Sequence, residues 1–386
     1  GRRYFHYHGD GPTMFGADVF SAKWSIVKDR WAPARDSTRA VSLEVFHDPA
    51  HGGDNVARTL RSMKGSFDYY TKEFGPYQYD HLTFVEIPRY GGFGRAMPGN
   101  ISFTEDYFIS RVQPSEIDQP FYGTAHEIAH QWWGGQLKGA NMPGRGFLSE
   151  SLANYSAMML VEKTFGVEAA RKVYGFQMER YFNGRARQSH EVPLLDVGDQ
   201  AYLAYRKGAI AMYTLRQLIG EQAVNGALHR FVAKYRGAGP PYPTSRDLYA
   251  ELRAATPDSL HPLLADLFET VTLWQLKMGR AVYDRAPNGG YVVTIEVTAK
   301  KARADSLGKL TEIPIDDLVD IGVFAPGKGD GLGAPLYLKQ QRIHGGKQTF
   351  VITVPTQPAH AGIDPYRKLL DRDRDDNVFK VRQNGK

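Results

Sequence analysis

Apolar residues recur along this chain at two spacings, and the change from one to the other divides it. Val56, Leu60, Met63, Phe67, Tyr70 and Phe74 follow at steps of four and three, which lines them along one face of a helix. Asp54 or Asn55 is placed to cap that helix, and Gly75-Pro76 stops it. Before it, residues 1 to about 50 read as short extended segments such as 40–46, with no complete domain among them. After it come a compact strand at 82–88, a glycine-rich segment at 90–100 and a further extended piece at 101–104. From about 115 to 275 the texture is helical. It changes at Pro287-Asn288-Gly289-Gly290, beyond which alternating runs at 291–297, 318–324 and 350–354, separated by Gly, Pro and Asp, predict a small β-sandwich. The expected organisation is multidomain α+β: residues 1–52 as the end of an N-terminal β-domain, 53–280 as a helix-rich mixed domain and 281–386 as a β-sandwich. No internal repeat or low-complexity tract interrupts this order.

Composition narrows the class. At 386 residues, 42% hydrophobic and 23% charged, the chain has the content of a soluble globular protein with two or three cores. No apolar run reaches the roughly 18 residues of a membrane span, and no secretory signal is visible. The chain opens Gly1-Arg2-Arg3 without a Met, which reads as a processed product or a fragment of something longer. It contains no cysteine, so disulfides and thiolate metal sites are excluded and any metal must use His and carboxylate ligands. The net charge of +6 is spread without a long basic run, so a solvated surface is expected and a nucleic-acid partner is not.

Chemistry concentrates at His126-Glu127-Ile128-Ala129-His130. Two histidines four apart on a helix aim at one point, and the glutamate beside them lies near a bound water without having to be a ligand. Catalytic zinc takes three protein ligands and leaves a position open. The third is expected from a second helix, and Glu150 in Leu148-Ser149-Glu150-Ser151-Leu152 is the candidate. Glu127 would then act as general base and acid. Asn154, four residues after Glu150, is expected to support a metal-bound histidine. The loop at 139–146 is expected to be flexible.

The residues around this centre resemble the gluzincin metallopeptidases of the aminopeptidase N type. The match runs through His126-Glu127-Ile128-Ala129-His130-Gln131-Trp132-Trp133-Gly134, through Leu148-Ser149-Glu150, and through Tyr205-Arg206-Lys207-Gly208-Ala209, which is similar to the family's Tyr-x-Lys-Gly-Ala. The resemblance implies that Tyr205 stabilises the tetrahedral intermediate. A neutral phenol, with a pKa of about 10, is a hydrogen-bond donor suited to a developing oxyanion. It also implies one zinc ion, a peptide substrate and a thermolysin-like catalytic domain followed by the β-sandwich. Within the family, the Trp-Trp pair, the Leu-Ser-Glu segment and the tail 362–372 look most like a bacterial branch fused to a transporter-like permease. That likeness implies a soluble domain tethered to a membrane through a transporter portion of the same parent protein.

Two departures qualify the likeness. The spacing from His130 to Glu150 is one residue longer than is usual, an extra residue that the 139–146 loop can absorb. The family's Gly-Ala-Met-Glu-Asn, whose glutamate holds the substrate's α-amine, is replaced by Gly94-Arg95-Ala96-Met97-Pro98-Gly99-Asn100, without that acid. Ala96, Met97, Gly99 and Asn100 are expected to line the substrate cleft. Glu105, Asp106 or an acid from outside this chain is the candidate partner of the amine, because an ammonium group needs a carboxylate to be desolvated cheaply. The favoured function is an aminopeptidase. Set against it are an endopeptidase without free-amine selection and a non-catalytic peptide-binding module attached to a transporter. The acidic run 371–375 lacks the glycine and the final glutamate of a calcium loop and is expected to be a solvated turn.

Overall fold

The computed structural model describes residues 4, 6, 19–34, 37–89, 94–287, 289–329 and 331–385. Tyr90 to Phe93 of the glycine-rich segment and Asn288 of the predicted turn lie outside them. Strands β1 (Ser25–Trp31) and β2 (Val41–His47) form an antiparallel pair. Helix α1 (Asp54–Phe74) follows, then β3 (His81–Ile87), β4 (Gly94–Met97) and β5 (Asn100–Thr104). All five strands share one sheet in the order β1-β2-β3-β5-β4, with β2, β3 and β5 parallel and β4 antiparallel at one edge. The expected boundary at 52/53 therefore runs through a sheet: β2 hydrogen-bonds to β3, so the early strands complete the layer under α1. Alternation along β2 buries Val41, Leu43 and Val45, but sequence spacing says nothing about which strand lies alongside.

Helix α1 buries Val56, Met63, Phe67, Tyr70 and Phe74 as the periodicity predicts, and Gly75 ends it. Its start differs from expectation. The cap position is Gly53, and the Asn55 amide donates instead to the carbonyls of Phe108 and Ser110, at 2.9 and 2.7 Å. The helical region comprises α2 (Asp106–Ile109), α3 (Gln119–Ala129), α4 (Leu152–Phe165), α5 (Val167–Arg185), α6 (Gly208–Ile219), α7 (Glu221–Tyr235), α8 (Ser245–Ala254) and α9 (His261–Phe268). Aromatic rings join α1 to the end of α3. Trp132 meets Tyr70 at 5.6 Å and donates its indole N–H to the Gly75 carbonyl at 2.9 Å, while Trp133 meets Phe74 at 5.0 Å. Both indoles are fully buried, so this pair fixes where the motif helix ends.

The C-terminal strands are β6 (Val271–Arg285), β7 (Tyr291–Ala304), β8 (Leu310–Ile313), β9 (Asp316–Pro326), β10 (Leu332–His344), β11 (Gly346–Val354), β12 (His360–Ile363), β13 (Val378–Lys380) and β14 (Arg382–Gln383). One sheet runs β10-β9-β12-β13; the other runs β11-β7-β6-β14, with β8 on β7. The predicted runs fall in β7, β9 and β11. Strand β6 straddles the expected boundary at 280/281. The acidic run is not a solvated turn throughout: Asp371 is fully buried and accepts the backbone N–H groups of Leu276 and Asp373, at 3.0 and 3.1 Å. It fastens the tail to β6, and burial pushes its own carboxyl towards the neutral form, with a pKa raised to about 7. The 139–146 loop is likewise tied down rather than flexible. Gly144 and Gly146 donate to the Val197 carbonyl and Ala140 to that of Pro243.

Helices and β-strands meet at a buried cation. Lys301 on β7 pairs with Asp266 of α9 and, at 3.0 Å, with Asp317 of β9, which also accepts the Trp274 indole N–H at 2.7 Å. Removing one member of such a cluster leaves charge without a counterion. Lys301→Met is expected to destabilise the chain by about 3–5 kcal/mol, read from the midpoint of urea unfolding. A loss below about 1 kcal/mol would show that the cluster behaves like a surface pair.

Candidate active site

Helix α3 starts where the Asp118 side chain accepts the Phe121 N–H at 3.0 Å, with Pro120 in the first turn. Residues 120–129 are all buried, so the helix passes through the core and delivers His126 and Glu127 from its last turn. His130 follows at the C-cap. Its Nδ1 faces the Trp133 carbonyl at 3.0 Å, an arrangement that places the proton on Nδ1 and leaves Nε2 as a donor to a metal.

Three ligand atoms converge. The Nε2 atoms of His126 and His130 are 3.2 Å apart, and Glu150 Oε2 is 3.3 Å from each. Ligands about 2.0–2.1 Å from a tetrahedral ion lie about 3.3 Å from one another, so the triangle has the edge such an ion requires. Glu150 Oε2 is buried and has no hydrogen-bond partner of its own, a costly state unless a cation satisfies it. Without a metal the donors compete for protons. Burial opposes the His130 imidazolium, but the Glu150 carboxylate 3.3 Å away outweighs it and pushes the pKa up to about 9. Burial likewise opposes ionisation of Glu150, yet the two imidazoles hold it well below the usual carboxylate range. The residues fit zinc by atom type, spacing and unmet valence.

Glu127 is buried, with Oε1 4.0 Å from His126 Nε2. Strand β4 passes over it. A Cβ on Gly94 would lie 2.8 Å from Glu127 Oε1 and 2.6 Å from the Phe103 ring, so only glycine lets the strand approach so closely. Alternation puts Ala96 on the same face as Gly94, with Met97 and Asn100 flanking the Pro98-Gly99 turn. That turn is clamped by a residue that sequence reasoning passed over. Gln131 accepts the Gly99 N–H and donates to the Met97 carbonyl, both at 3.0 Å. Its position directly after the second histidine was the available signal.

The acids considered for the substrate's amine lie elsewhere. Glu105 groups with His51 and Glu86 and accepts the Arg89 N–H at 3.3 Å, and Asp106 pairs with Arg89 at 3.1 Å. Among the described residues β4 and its turn carry no carboxylate.

Glu150 and Tyr205 both sit in π-helical turns, at 147–151 and 202–207, which lead into α4 and α6. A π turn adds one residue to the helix and re-aims the side chains there. The two turns press together: Ser151 Oγ donates to the Ala204 carbonyl at 2.7 Å, and a Cβ on Gly208 would fall 1.8 Å from that oxygen. Tyr205, Arg206, Lys207 and Gly208 of the motif have separate tasks. The Tyr205 ring lies 5.9 Å from the His126 ring. Burial, then the charge and hydrogen bond of Glu150, push its phenol pKa up, so it keeps its proton. Arg206 donates to Gln177 at 2.8 Å. Lys207, fully buried, meets Glu191 at 2.6 Å, and Glu191 also holds Arg185 and the Tyr181 hydroxyl.

Asn154 does not support a histidine. Its oxygen accepts from Tyr122 at 2.6 Å and its amide donates to the Glu150 carbonyl at 3.1 Å. Gln177 donates to Tyr122 in turn, so Arg206, Gln177, Tyr122 and Asn154 form one buried chain beneath the Glu150 turn. Gly208→Ala is expected to lower the melting temperature and strip activity by overfilling this contact, at about 1–3 kcal/mol or more. Adding Ser151→Gly should restore part of both, and thermal melts of the single and double variants check it. Strictly additive losses would mean that the contact is not where the strain arises.

Residues 58–264 match the model described as the peptidase family M1 domain. No curated protein matches the sequence. The fold is similar to Legionella pneumophila aminopeptidase A in complex with aspartic acid, with a TM-score of 0.57 and 13% identity over 94% of this chain. The chain spans 38% of that protein's length. An M1 zinc metallopeptidase mutant from Deinococcus radiodurans, bound to a Tyr-Ser-Ala substrate, aligns with a TM-score of 0.47 and 20% identity, over 63% of this chain and 51% of that one. The family model covers more than half of the residues, the ligand triangle among them, and the chain therefore belongs to peptidase family M1, its matched segment a zinc metallopeptidase domain.

Proposed function

We propose that this chain is the catalytic part of an aminopeptidase that releases N-terminal residues from peptides, with His126, His130 and Glu150 as its zinc ligands. The observation that carries the reading is the triangle of 3.2, 3.3 and 3.3 Å closed by an unpartnered carboxylate oxygen. Zinc bound there supplies Lewis acidity, polarising a carbonyl and lowering the pKa of a water towards about 7. Glu127 takes a proton from the attacking water on its carboxylate and returns it to the leaving amine as the C–N bond breaks. Tyr205 donates its hydroxyl hydrogen bond to the carbonyl oxygen as negative charge builds there. Strand β4, at the edge of its sheet, offers backbone groups to an extended peptide, with Ala96, Met97, Gly99 and Asn100 as the cleft wall.

On the same reading the thermolysin-like unit takes in β1 and β2 and ends near 270, and a β-sandwich follows. The transporter portion of a parent protein, and with it a membrane tether, rests on the Trp132-Trp133, Leu148-Ser149-Glu150 and 362–372 motifs; no helix among the described residues is long and apolar enough to cross a membrane. One observation favours a second reading, an endopeptidase: β4 and its turn bear no acid to meet a free amine. A complete ligand and base set argues against a merely binding module.

Glu127→Gln should keep one zinc per chain by metal analysis and lose about 10²–10⁴-fold in kcat on aminoacyl fluorogenic substrates. Tyr205→Phe should lose about 10²–10³-fold in kcat with the metal retained. Full turnover by zinc-loaded Glu127→Gln would sink the mechanism, and efficient cleavage of N-acetylated peptides would favour the endopeptidase. Zinc binding should also depend on pH. His130 holds its proton up to about pH 9 in the metal-free site, and zinc must displace it. The apparent affinity should therefore rise about tenfold per pH unit below 9 and level off above. Chelator competition at pH 6, 7 and 8 checks this, and a flat profile would contradict it.

A further inference from the structure

Beside Tyr205 stands a cation with no counterion. Arg206 is partly buried, and among the described residues it pairs with no carboxylate. Among the described residues its hydrogen bond goes to the neutral Gln177 oxygen at 2.8 Å, which engages one of a guanidinium's five N–H donors. Its remaining contacts are aromatic: the guanidinium lies 5.5 Å from the Phe176 ring and 5.9 Å from the Tyr205 ring. Arg180, on the same helix as Phe176, approaches that ring at 5.1 Å. Two positive charges thus flank one half-buried ring, next to the phenol that faces the ligand triangle. The Tyr205 ring itself lies 5.9 Å from the His126 ring, which puts Arg206 one aromatic ring away from the ligand triangle. A half-desolvated guanidinium without an anion is costly, and the planar fork matches a carboxylate.

We propose that Arg206, assisted by Arg180, forms a subsite for a carboxylate of the peptide substrate. The inference rests on the peptidase reading and adds its substrate class: peptides with an anionic group close to the scissile bond. The carboxylate has two possible sources, an acidic side chain or the C-terminus of a short peptide. Either would sit within one or two extended residues of the reacting carbonyl, at about 3.5 Å per residue. The subsite also gives the cleft a charged anchor where its edge strand has no acid for the amine.

The test compares matched substrates on the zinc-loaded chain. Glutamyl against glutaminyl fluorogenic amides reads the side-chain source, and tripeptide free acids against their amides read the C-terminal source. One anionic member is expected to exceed its neutral partner in kcat/KM by about 10- to 100-fold, the scale of a charge-assisted hydrogen bond. In Arg206→Gln that ratio should fall to near one, Arg206→Lys should restore part of it, and Arg206→Glu should reverse it towards lysyl substrates. A purely structural role through Gln177 would lower both members together and leave the ratio unchanged, which would overturn the proposal. So would equal rates for both pairs in the unsubstituted chain. Calorimetric binding of the same peptides to zinc-loaded Glu127→Gln separates this claim from the peptidase reading. If no peptide is cleaved but the acidic one binds more tightly through Arg206, the peptidase reading fails and the subsite stands. Equal binding of acidic and neutral peptides removes the subsite.

Discussion

Two π-helical turns meet where Ser151 presses on Gly208, and the side chains assigned to chemistry outside the motif helix take their positions from that contact. One turn carries Glu150 to the histidines; the other carries Tyr205 to face them. Ser151 fills the space a Cβ would need and satisfies the Ala204 carbonyl. Below them the chain from Arg206 through Gln177 and Tyr122 to Asn154 ends on the Glu150 backbone. The ligand is thus aimed through its main chain.

Buried charge does the anchoring. Lys207 has Glu191 within 2.6 Å, and Glu191 is shared with Arg185 and Tyr181. Lys301 performs the same task where α9 joins the strands. Such clusters add little net stability over apolar packing. Their geometry is specific, however, and the first of them fixes the rotation of the turn that carries Tyr205.

How much of this was legible in the sequence follows from the range of each signal. The α1 stripe and the His126–His130 spacing are local and periodic, and α1 and the last turn of α3 with its cap place those side chains on one face each. Glu150 and Tyr205 were found through motifs, but the π turns that aim them were not, because one extra residue per turn is invisible to a 3.6-residue pattern. The placement of β1 and β2 was missed because alternation reveals a strand's face and not its neighbour. Asp371 looked solvated because its run is charged; what buries it is a pair of backbone donors, one almost a hundred residues earlier in the chain. Gln131 bears no charge and repeats no pattern, so only its place directly after His130 hints at the clamp on β4.

Strand β4 closes one edge of its sheet, with Gln131 locking its turn to the helix that bears the histidines. Its outer hydrogen-bonding groups are offered at a fixed height above Glu127. On the proposed function, a polypeptide would dock there only with a stretch of main chain that is not already engaged in a helix or sheet of its own. Native proteins keep nearly all such groups occupied, so this geometry acts as a filter on conformation before it acts on sequence. On the proposed function, such an edge would admit short or unravelled chains and pass over folded ones.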